Sequence, residues 1–596
     1  MSKKKRYDYD LIVIGSGPAG EKGAASAAYF GKKVALVERK GVLGGTMTAE
    51  GVPAKTLRET ALAITGFQHR GLYGIDLSYQ NKLGVQQFMH REREVRSTTI
   101  NNVAANLEKS GVHRYYGHSS FEDEHTVRVE SDPGEVRLKG EVILVATGSS
   151  PLRPPMFPFN HPNVYDAATI LSMNKLPERL GIVGGGVAGC EFACLFGALG
   201  TRVMMVHTQG VLFPFADREI SSLLLENMKG FNMELYMPDR VSKVITSDDR
   251  QHIHVVLASG NEFICDALLV ATGRKSNTSD LRLENAGVDT GERGMIIVND
   301  SYQTNVPNIY AAGDVVGFPA LSSTGMEQAR TAISHAFNVR GSKVLDLSKG
   351  SYVPYGLWTI PEISMVGETE ETLQANGIPY VVGKAYYNQN PRGLLLGEER
   401  GLMKLLFTKD GMKLAGVHII GKEACELIAT GTSALVLGAT ASHFTDMCFN
   451  FPSLADMYKY ATFNALISYD VSSRQTLHVK AMAKKAADFL EKEGPNKAFA
   501  AFNTGPDWHD GDLYVFVFDN TGTWRASGAR PELVGKNDLN TPDAGGKLFV
   551  KEIVAIDKDG WVDYKFKSPA DNQIHDKSSY FVRVGNFLVG AGAYKY

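Results

Sequence analysis

The chain has 596 residues, enough for about four domains at roughly 150 residues each. Lys plus Arg number 63 against 65 for Asp plus Glu, and this net charge of −2 gives no electrostatic reason to expect nucleic acid or an anionic membrane as a partner. Hydrophobic residues make up 43% and charged residues 21%, which fits a folded chain and excludes a disordered one.

The basic opening MSKKKRYDYD runs directly into Leu11-Ile-Val-Ile-Gly15. That apolar stretch is too short for a signal peptide. No run reaches the roughly 20 apolar residues of a membrane span, and Leu427 to Ala441, broken by Thr, Ser and Gly, reads as a buried helix. A soluble, cytoplasmic protein with no membrane partner is expected. The five cysteines (Cys190, Cys194, Cys265, Cys425 and Cys448) show no CxxC pair and no metal-ligand spacing, so neither a disulfide framework nor a metal site is expected.

The first chemical signal is Asp10-Leu-Ile-Val-Ile-Gly15-Ser-Gly17-Pro18-Ala19-Gly20-Glu, in which β-formers run into GxGxxG and then into an alanine-rich helix. Gly15 permits the tight turn, Gly17 lets the backbone approach a pyrophosphate, and Gly20 lets helix and strand pack closely. The next strand, Val34-Ala-Leu-Val-Glu38, ends in an acid 18 residues after Gly20 (38 − 20), followed by Arg39. That spacing fits the carboxylate that binds an adenosine ribose.

The pattern recurs at Leu180-Gly-Ile-Val-Gly184-Gly-Gly186-Val187-Ala188-Gly189-Cys-Glu191, with the strand Arg202-Val-Met-Met-Val206 behind it. At the same spacing of 18 (207 − 189) stands His207, where an acid would repel a 2′-phosphate. Both NAD and NADP stay admissible. Two dinucleotide folds on one chain point to a flavin and a nicotinamide brought face to face.

Three further segments carry a family resemblance: Leu144-Val-Ala-Thr147-Gly148-Ser, Leu269-Val-Ala-Thr272-Gly273-Arg274 and Ile309-Tyr-Ala-Ala-Gly313-Asp314-Val. With the two glycine loops they resemble the two-dinucleotide-binding flavoprotein reductases, which include lipoamide dehydrogenase, glutathione reductase, mercuric reductase and soluble pyridine nucleotide transhydrogenase. The resemblance covers about residues 8–470 and extends into Thr359-Ile-Pro361-Glu362-Ile-Ser-Met-Val366-Gly367, like the start of that family's dimerisation domain. It implies an FAD domain in two parts (1–150 and 276–345), an NAD(P) domain (151–275), an α+β dimerisation domain (346–470) and a homodimer or larger homo-oligomer. It also implies that Asp314 and Gly313 meet the ribitol of FAD, and that Gly45, Thr46, Thr147, Gly148, Gly273 and Arg274 complete the cofactor contacts.

Most of that family passes electrons to a disulfide in the pattern GGxCxxxGCxPSK. Here the segment reads Gly44-Gly45-Thr46-Met47-Thr-Ala-Glu-Gly51-Val52-Pro53-Ala54-Lys55, with Met47 and Val52 at or near the cysteine positions. Neither side chain ionises to a thiolate, so the disulfide route is closed. The His-Pro and Glu proton relay is changed as well: Phe451 precedes Pro452, and Asp456 stands at the acid position. An aromatic ring is no general base. The match is nearest the soluble transhydrogenases, which also place an aromatic before that proline but keep one flavin-side cysteine. Hydride exchange between NADPH and NAD through the flavin is the activity implied, with Lys55 and Glu191 carried over as an ion pair near flavin and nicotinamide. Two alternatives stay open: an NAD(P)H dehydrogenase passing electrons to a quinone, metal or protein, and a flavin-based redox or metabolite sensor.

After about Asp470 this resemblance ends. Val479 to Glu493 has helical spacing and stops at Gly494-Pro495, and alternating strands follow at 511–519, 560–566, 579–584 and 587–593. The segment 475–596 resembles a single Cache sensor domain through Asp512-Leu-Tyr-Val-Phe, Leu533-Val-Gly-Lys-Asn537, Phe549-Val-Lys-Glu-Ile and Gly560-Trp-Val-Asp-Tyr564. Such domains hold small organic acids or amines. Tyr514, Trp561, Tyr564 and Arg583 are the expected pocket, with Arg583 as carboxylate anchor. Whether such a ligand regulates the reductase stays open. The expected fold is therefore α/β, with two Rossmann-like domains, an α+β dimerisation domain and a C-terminal α+β domain.

Overall fold

The computed structural model describes residues 7–39, 41–65, 84–132, 134–231, 233–247, 252–339, 352–398 and 400–595, in two compact units, Met1–Asn464 and Ala465–Tyr596. In the first unit, Leu11, Ile12, Val13 and Ile14 are all buried, as are all five residues of Val34–Glu38. Continuous apolar runs of this kind mark a parallel sheet covered on both faces. The strands His113–Tyr116, Val34–Glu38, Tyr9–Ile14, the end of Gly134–Val145 and Ile309–Ala311 lie side by side and parallel. Residues from before and after the intervening chain thus share one sheet, which is why the final strand can deliver Asp314 to the first glycine turn.

The same architecture is repeated by Met233–Tyr236, Arg202–Val206, Arg179–Val183, Ala267–Val270 and Val164–Asp166, also parallel throughout. Two short antiparallel strands, Ser149–Pro151 and Arg274–Ser276, join the two halves. A third, antiparallel sheet runs Tyr355–Leu357, Ile363–Gly367, Leu414–Ile420, Leu402–Thr408, Tyr380–Tyr386. Lys404 on this sheet is buried and bonds Asp217 at 2.9 Å and Glu219 at 3.0 Å, and it also pairs with Glu370. These contacts fix the helix Arg218–Lys229 of the second Rossmann half against the antiparallel sheet.

The apolar stretch from Leu427 is only partly the buried helix expected. The helix spans Ala424–Val436; Ile428, Ala434 and Leu435 are buried, whereas Val436 and Leu437 are exposed before Gly438 turns the chain. No helix among the described residues is long and apolar enough to cross a membrane, and no cluster of metal-ligating side chains occurs among them.

In the second unit, Leu513–Asp519 is buried along its whole length and pairs with Phe587–Lys595, itself followed by Ile574–Val584 and Asp559–Lys567, all antiparallel. Val479, Ala483, Ala486 and Leu490 recur at helical spacing and cover one face with Val515, Val517 and Val589. The other face stacks Tyr514, Phe516, Phe518, Trp524, Phe581 and Tyr594 under the helix Phe549–Val554. The helix stop expected at Gly494-Pro495 is a relay: Gly494 takes φ +79° and Pro495 opens a new helix, Pro495–Thr504.

Candidate active site

Both glycine turns are built by the same steric rule. Gly15 has φ +104°, and a Cβ there would lie 2.3 Å from Ala146 O; a Cβ at Gly20 would lie 1.9 Å from Gly15 O. Gly184 and Gly189 repeat these contacts at 2.3 and 1.8 Å. Gly17 and Gly186 differ, since a Cβ at either meets nothing within 4 Å. Each stands at the N-cap of a helix (Pro18–Tyr29 and Val187–Ala198) that no side chain caps. Uncapped N–H groups with no protein atom crowding them are what a pyrophosphate needs.

A continuous cleft of about 2610 Å³ connects the two turns. Of the cofactor-binding residues expected from the sequence, all line this cleft except Gly20 and Gly189, which pack inside it against their own strands. At the end of the second strand, Glu38 Oε2 accepts the Ser16 N–H at 3.1 Å and the Ser16 hydroxyl at 2.6 Å, which orients the carboxylate toward the turn. Arg39 beside it is half-exposed and pairs with Asp280 at 3.2 Å.

The second half holds His207 in the corresponding place, with its Nδ1 accepting the Gly185 N–H at 3.1 Å. A Cβ at residue 185 would fall 2.7 Å from the imidazole, so this glycine makes room for the ring. Burial lowers the His207 pKa below its ordinary value, partly opposed by a hydrogen bond involving the Val211 backbone. Around neutral pH the ring is therefore uncharged, with Nδ1 as acceptor and Nε2 left to donate.

The two halves meet at Arg274. Its Nε donates to Ser149 Oγ at 2.7 Å and its other nitrogens to Ser149 O at 2.9 Å and Glu50 Oε2 at 2.8 Å. Ser149 Oγ in turn donates to Asp314 Oδ2 at 2.8 Å. A residue of the NAD(P) half thus holds the carboxylate assigned to the FAD ribitol. Ser149 and Glu50 were not singled out from the sequence, because a serine after an ATG end and a glutamate in a loop have no pattern of their own. Replacing Glu50 by Gln is expected to slow NADPH-dependent flavin reduction about two- to fivefold at unchanged FAD content, the effect of a partly exposed pair of roughly 0.5–1 kcal/mol. Stopped-flow absorbance checks it.

Lys55 and Glu191 come together although they are 136 residues apart, Nζ to Oε2 at 2.7 Å. The other carboxylate oxygen accepts the Trp358 N–H at 2.9 Å. One turn along the Lys55 helix, Arg58 donates to Thr359 O at 3.0 Å and pairs with Glu362 at 3.2 Å, while Glu362 also accepts the Cys425 N–H. The Thr359-Ile-Pro-Glu362 segment therefore clamps the helix that carries Lys55.

Met47 opens a wide π-type turn, Met47–Gly51, and lines the cleft together with Val52. All five cysteines are free; only Cys425 lines the cleft, and burial pushes its thiol well above the usual range. Phe451 is 71% exposed and outside the cleft, and Asp456 is mostly buried, its carboxyl pKa raised by burial.

The pocket expected in the second unit does not assemble. Tyr514 and Tyr564 are buried within the aromatic face, whereas Trp561 points to the opposite side of the sheet and packs edge-on against Tyr580. Arg583 donates to Ile556 O at 2.7 Å and Val554 O at 2.6 Å, so it caps the carbonyl end of a helix instead of anchoring a carboxylate. The period-2 rule separates residues 561 and 564, and a strand arginine's helix partner is invisible in sequence.

Thr147 Oγ1 is buried and has no hydrogen-bond partner among the described residues, which fits a ligand group passing the end of its strand. Together with the uncapped helix N-termini and the Ser149-supported Asp314, it shows that the residues present fit FAD.

Residues 9–336 match the pyridine nucleotide-disulphide oxidoreductase family, residues 353–462 its dimerisation domain, and residues 455–596 a Cache domain. The soluble pyridine nucleotide transhydrogenase of Mycobacterium tuberculosis is 37% identical over 464 residues, 77% of this chain and 97% of that protein. That of Pseudomonas putida is 36% identical over 468 residues, covering 77% and 98%. Among solved structures, the HOCl-induced flavoprotein disulfide reductase RclA of Escherichia coli aligns with a TM-score of 0.69 at 26% identity, over 76% of this chain and 98% of its own. LpdA of Mycobacterium tuberculosis aligns with a TM-score of 0.71 at 25% identity, over 76% and 98%. The chain thus belongs to the pyridine nucleotide-disulphide oxidoreductase family, as an FAD-dependent oxidoreductase of pyridine nucleotides that carries a Cache domain at its C-terminal end.

Proposed function

We propose that the enzyme exchanges hydride between NADPH and NAD without a redox disulfide, as a homodimer whose Cache domain senses a small ligand. The observation that carries the exchange reading is the single cleft running between the two glycine turns, lined by Met47 where a thiol would serve a disulfide substrate. When bound, FAD supplies a carrier that accepts and returns two electrons as hydride.

The chain's own residues bind, orient and shield. Gly17 and Gly186 admit pyrophosphates at their helix ends, Glu38 and His207 meet the adenosine riboses, and Asp314, held by Ser149, meets the ribitol. Lys55 and Glu191 form a fixed pair that positions the reacting rings; reacting atoms about 3–3.5 Å apart account for most of the rate in such a transfer. No proton is exchanged between two nicotinamides, so a phenylalanine at position 451 costs this reaction nothing.

Anaerobic mixing of purified holoenzyme with NADPH and thio-NAD tests this, with rapid formation of thio-NADH as the expected result. Bleaching of the flavin by NADPH without thio-NADH would overturn it in favour of another acceptor, which a quinone or metal-ion arm of the assay would then identify.

A further inference from the structure

The strands Arg202–Val206 and Met233–Tyr236 lie side by side and parallel, so the loops that leave their ends border the same part of the cleft. The first loop supplies His207 and Thr208, and the second supplies Asp239 and Arg240. Two backbone hydrogen bonds tie these loops together: the His207 N–H reaches Tyr236 O at 3.0 Å, and the Asp239 N–H reaches His207 O at 2.8 Å. Arg240 therefore follows directly on a residue bonded to the backbone of His207, the side chain that stands where a ribose contact is expected.

The stretch His207-Thr-Gln-Gly-Val211 contains no acid, lysine or arginine, so the fixed charges of this corner come from the second loop. There the acid is already engaged. Asp239 Oδ1 accepts the Arg240 N–H at 2.8 Å and the Ser259 N–H at 3.3 Å, and Oδ2 accepts the Ser259 hydroxyl. These donors, the Ser259 hydroxyl foremost, hold the Asp239 carboxyl below its ordinary pKa. The backbone of Arg240 is fixed on its other side as well: its carbonyl accepts the Ala258 N–H at 2.8 Å, and Val241 pairs with Leu257 at the start of a strand. Arg240 is exposed, and its guanidinium makes no ion pair among the described residues. A pinned backbone thus carries an uncommitted cation beside His207.

We propose that Arg240 makes the enzyme select NADPH over NADH, by binding the 2′-phosphate. This rests on the reading of NADPH as hydride donor with its adenosine ribose at His207. A 2′-phosphate offers a guanidinium two oxygens at once, a charge-assisted contact that the 2′-hydroxyl of NADH lacks. The neutral His207 ring beside it puts no negative charge against that phosphate. From the sequence both nucleotides stay admissible, because no arginine follows the strand Arg202–Val206; the cation comes instead from the neighbouring strand's loop, 33 residues further on (240 − 207). Only the sheet order brings the two positions together. The contact faces water, so added salt weakens it.

Titration calorimetry of the full-length, FAD-loaded enzyme with 2′,5′-ADP and with 5′-AMP tests this. The wild type is expected to bind 2′,5′-ADP about tenfold or more tightly than 5′-AMP, the worth of one hydrogen-bonded charge. In Arg240→Gln that preference is expected to fall about tenfold, and the ratio of kcat/KM for NADPH to that for NADH to fall by a similar factor. Arg240→Lys keeps the charge without the planar fork and is expected to lie between the two. FAD content and melting temperature, read on each variant, separate lost recognition from lost folding. Equal binding of the two nucleotides by the wild type would overturn the proposal, as would a preference that Arg240→Gln leaves unchanged. Neither binding measurement involves thio-NADH formation, so the outcome for Arg240 is read separately from the outcome for hydride exchange.

Discussion

Lys55→Met is expected to slow NADPH-to-thio-NAD hydride transfer about 100-fold while the purified protein keeps its full complement of FAD. The Glu191 carboxylate is 11% exposed and is held by two donors, the Lys55 ammonium at 2.7 Å and the Trp358 N–H at 2.9 Å. Removing the ammonium leaves a largely buried charge with a single neutral donor, an arrangement that costs several kcal/mol unless the side chain moves. The carboxylate then swings toward water, and the helix Val187–Ala198, which begins at the second glycine turn, loses its tie to the helix Val52–Thr65. A nicotinamide bound on that turn is displaced, and about 1 Å of displacement accounts for a 100-fold loss. The residues proposed to contact FAD, Gly17, Glu38 and Asp314, lie outside this pair, so flavin absorbance at purification is expected to be unchanged. Glu191→Gln alone is expected to cost about as much, and the double variant little more than either, because both substitutions break the same contact. Full additivity in single-turnover kinetics would show that the two residues act separately.

That pair was legible in the sequence only through family resemblance, since nothing in local pattern links residues so far apart. The glycine turns were legible from first principles: positive φ at Gly15 and the close approach of helix to strand at Gly20 leave no alternative residue, and both appear as β-formers, glycines and alanines in order. What escaped was what depends on three-dimensional partners. Ser149 matters because Arg274 and Asp314 reach it from opposite sides, and Glu50 matters because it faces Arg274 across 224 residues. The C-terminal pocket failed for a related reason. Aromatic residues on strands fill cores more often than pockets, and here Tyr514 and Tyr564 are both buried in the aromatic face of the sheet.

His207→Glu is expected to shift the nucleotide preference toward NADH over NADPH by roughly 100-fold, through repulsion of the 2′-phosphate by a like charge. The side chain stands at the end of strand Arg202–Val206, where its ring accepts the Gly185 N–H and lines the cleft. A glutamate can accept the same N–H, as Glu38 does from Ser16 in the first half, so the turn is expected to keep its shape. Asp239 and Arg240 border the same corner of the cleft; the Asp239 N–H bonds His207 O at 2.8 Å, and Arg240 remains available to a phosphate. In the wild type the lowered His207 pKa gives a pH dependence of definite sign. Below about 6.5 the ring gains a proton as pH falls toward its lowered value, the added positive charge attracts the 2′-phosphate, and the ratio of kcat/KM for NADPH to that for NADH rises. Above that range the ring contributes no further change. His207→Gln keeps the size and hydrogen-bonding capacity but cannot titrate, so the pH dependence that remains in it across pH 5.5 to 8 belongs to the 2′-phosphate, whose second ionisation falls at about 6, and the difference between wild type and variant reports the ring. A wild-type pH profile identical to that of His207→Gln, or a ratio that His207→Glu leaves unaltered, would place the 2′-phosphate away from this ring.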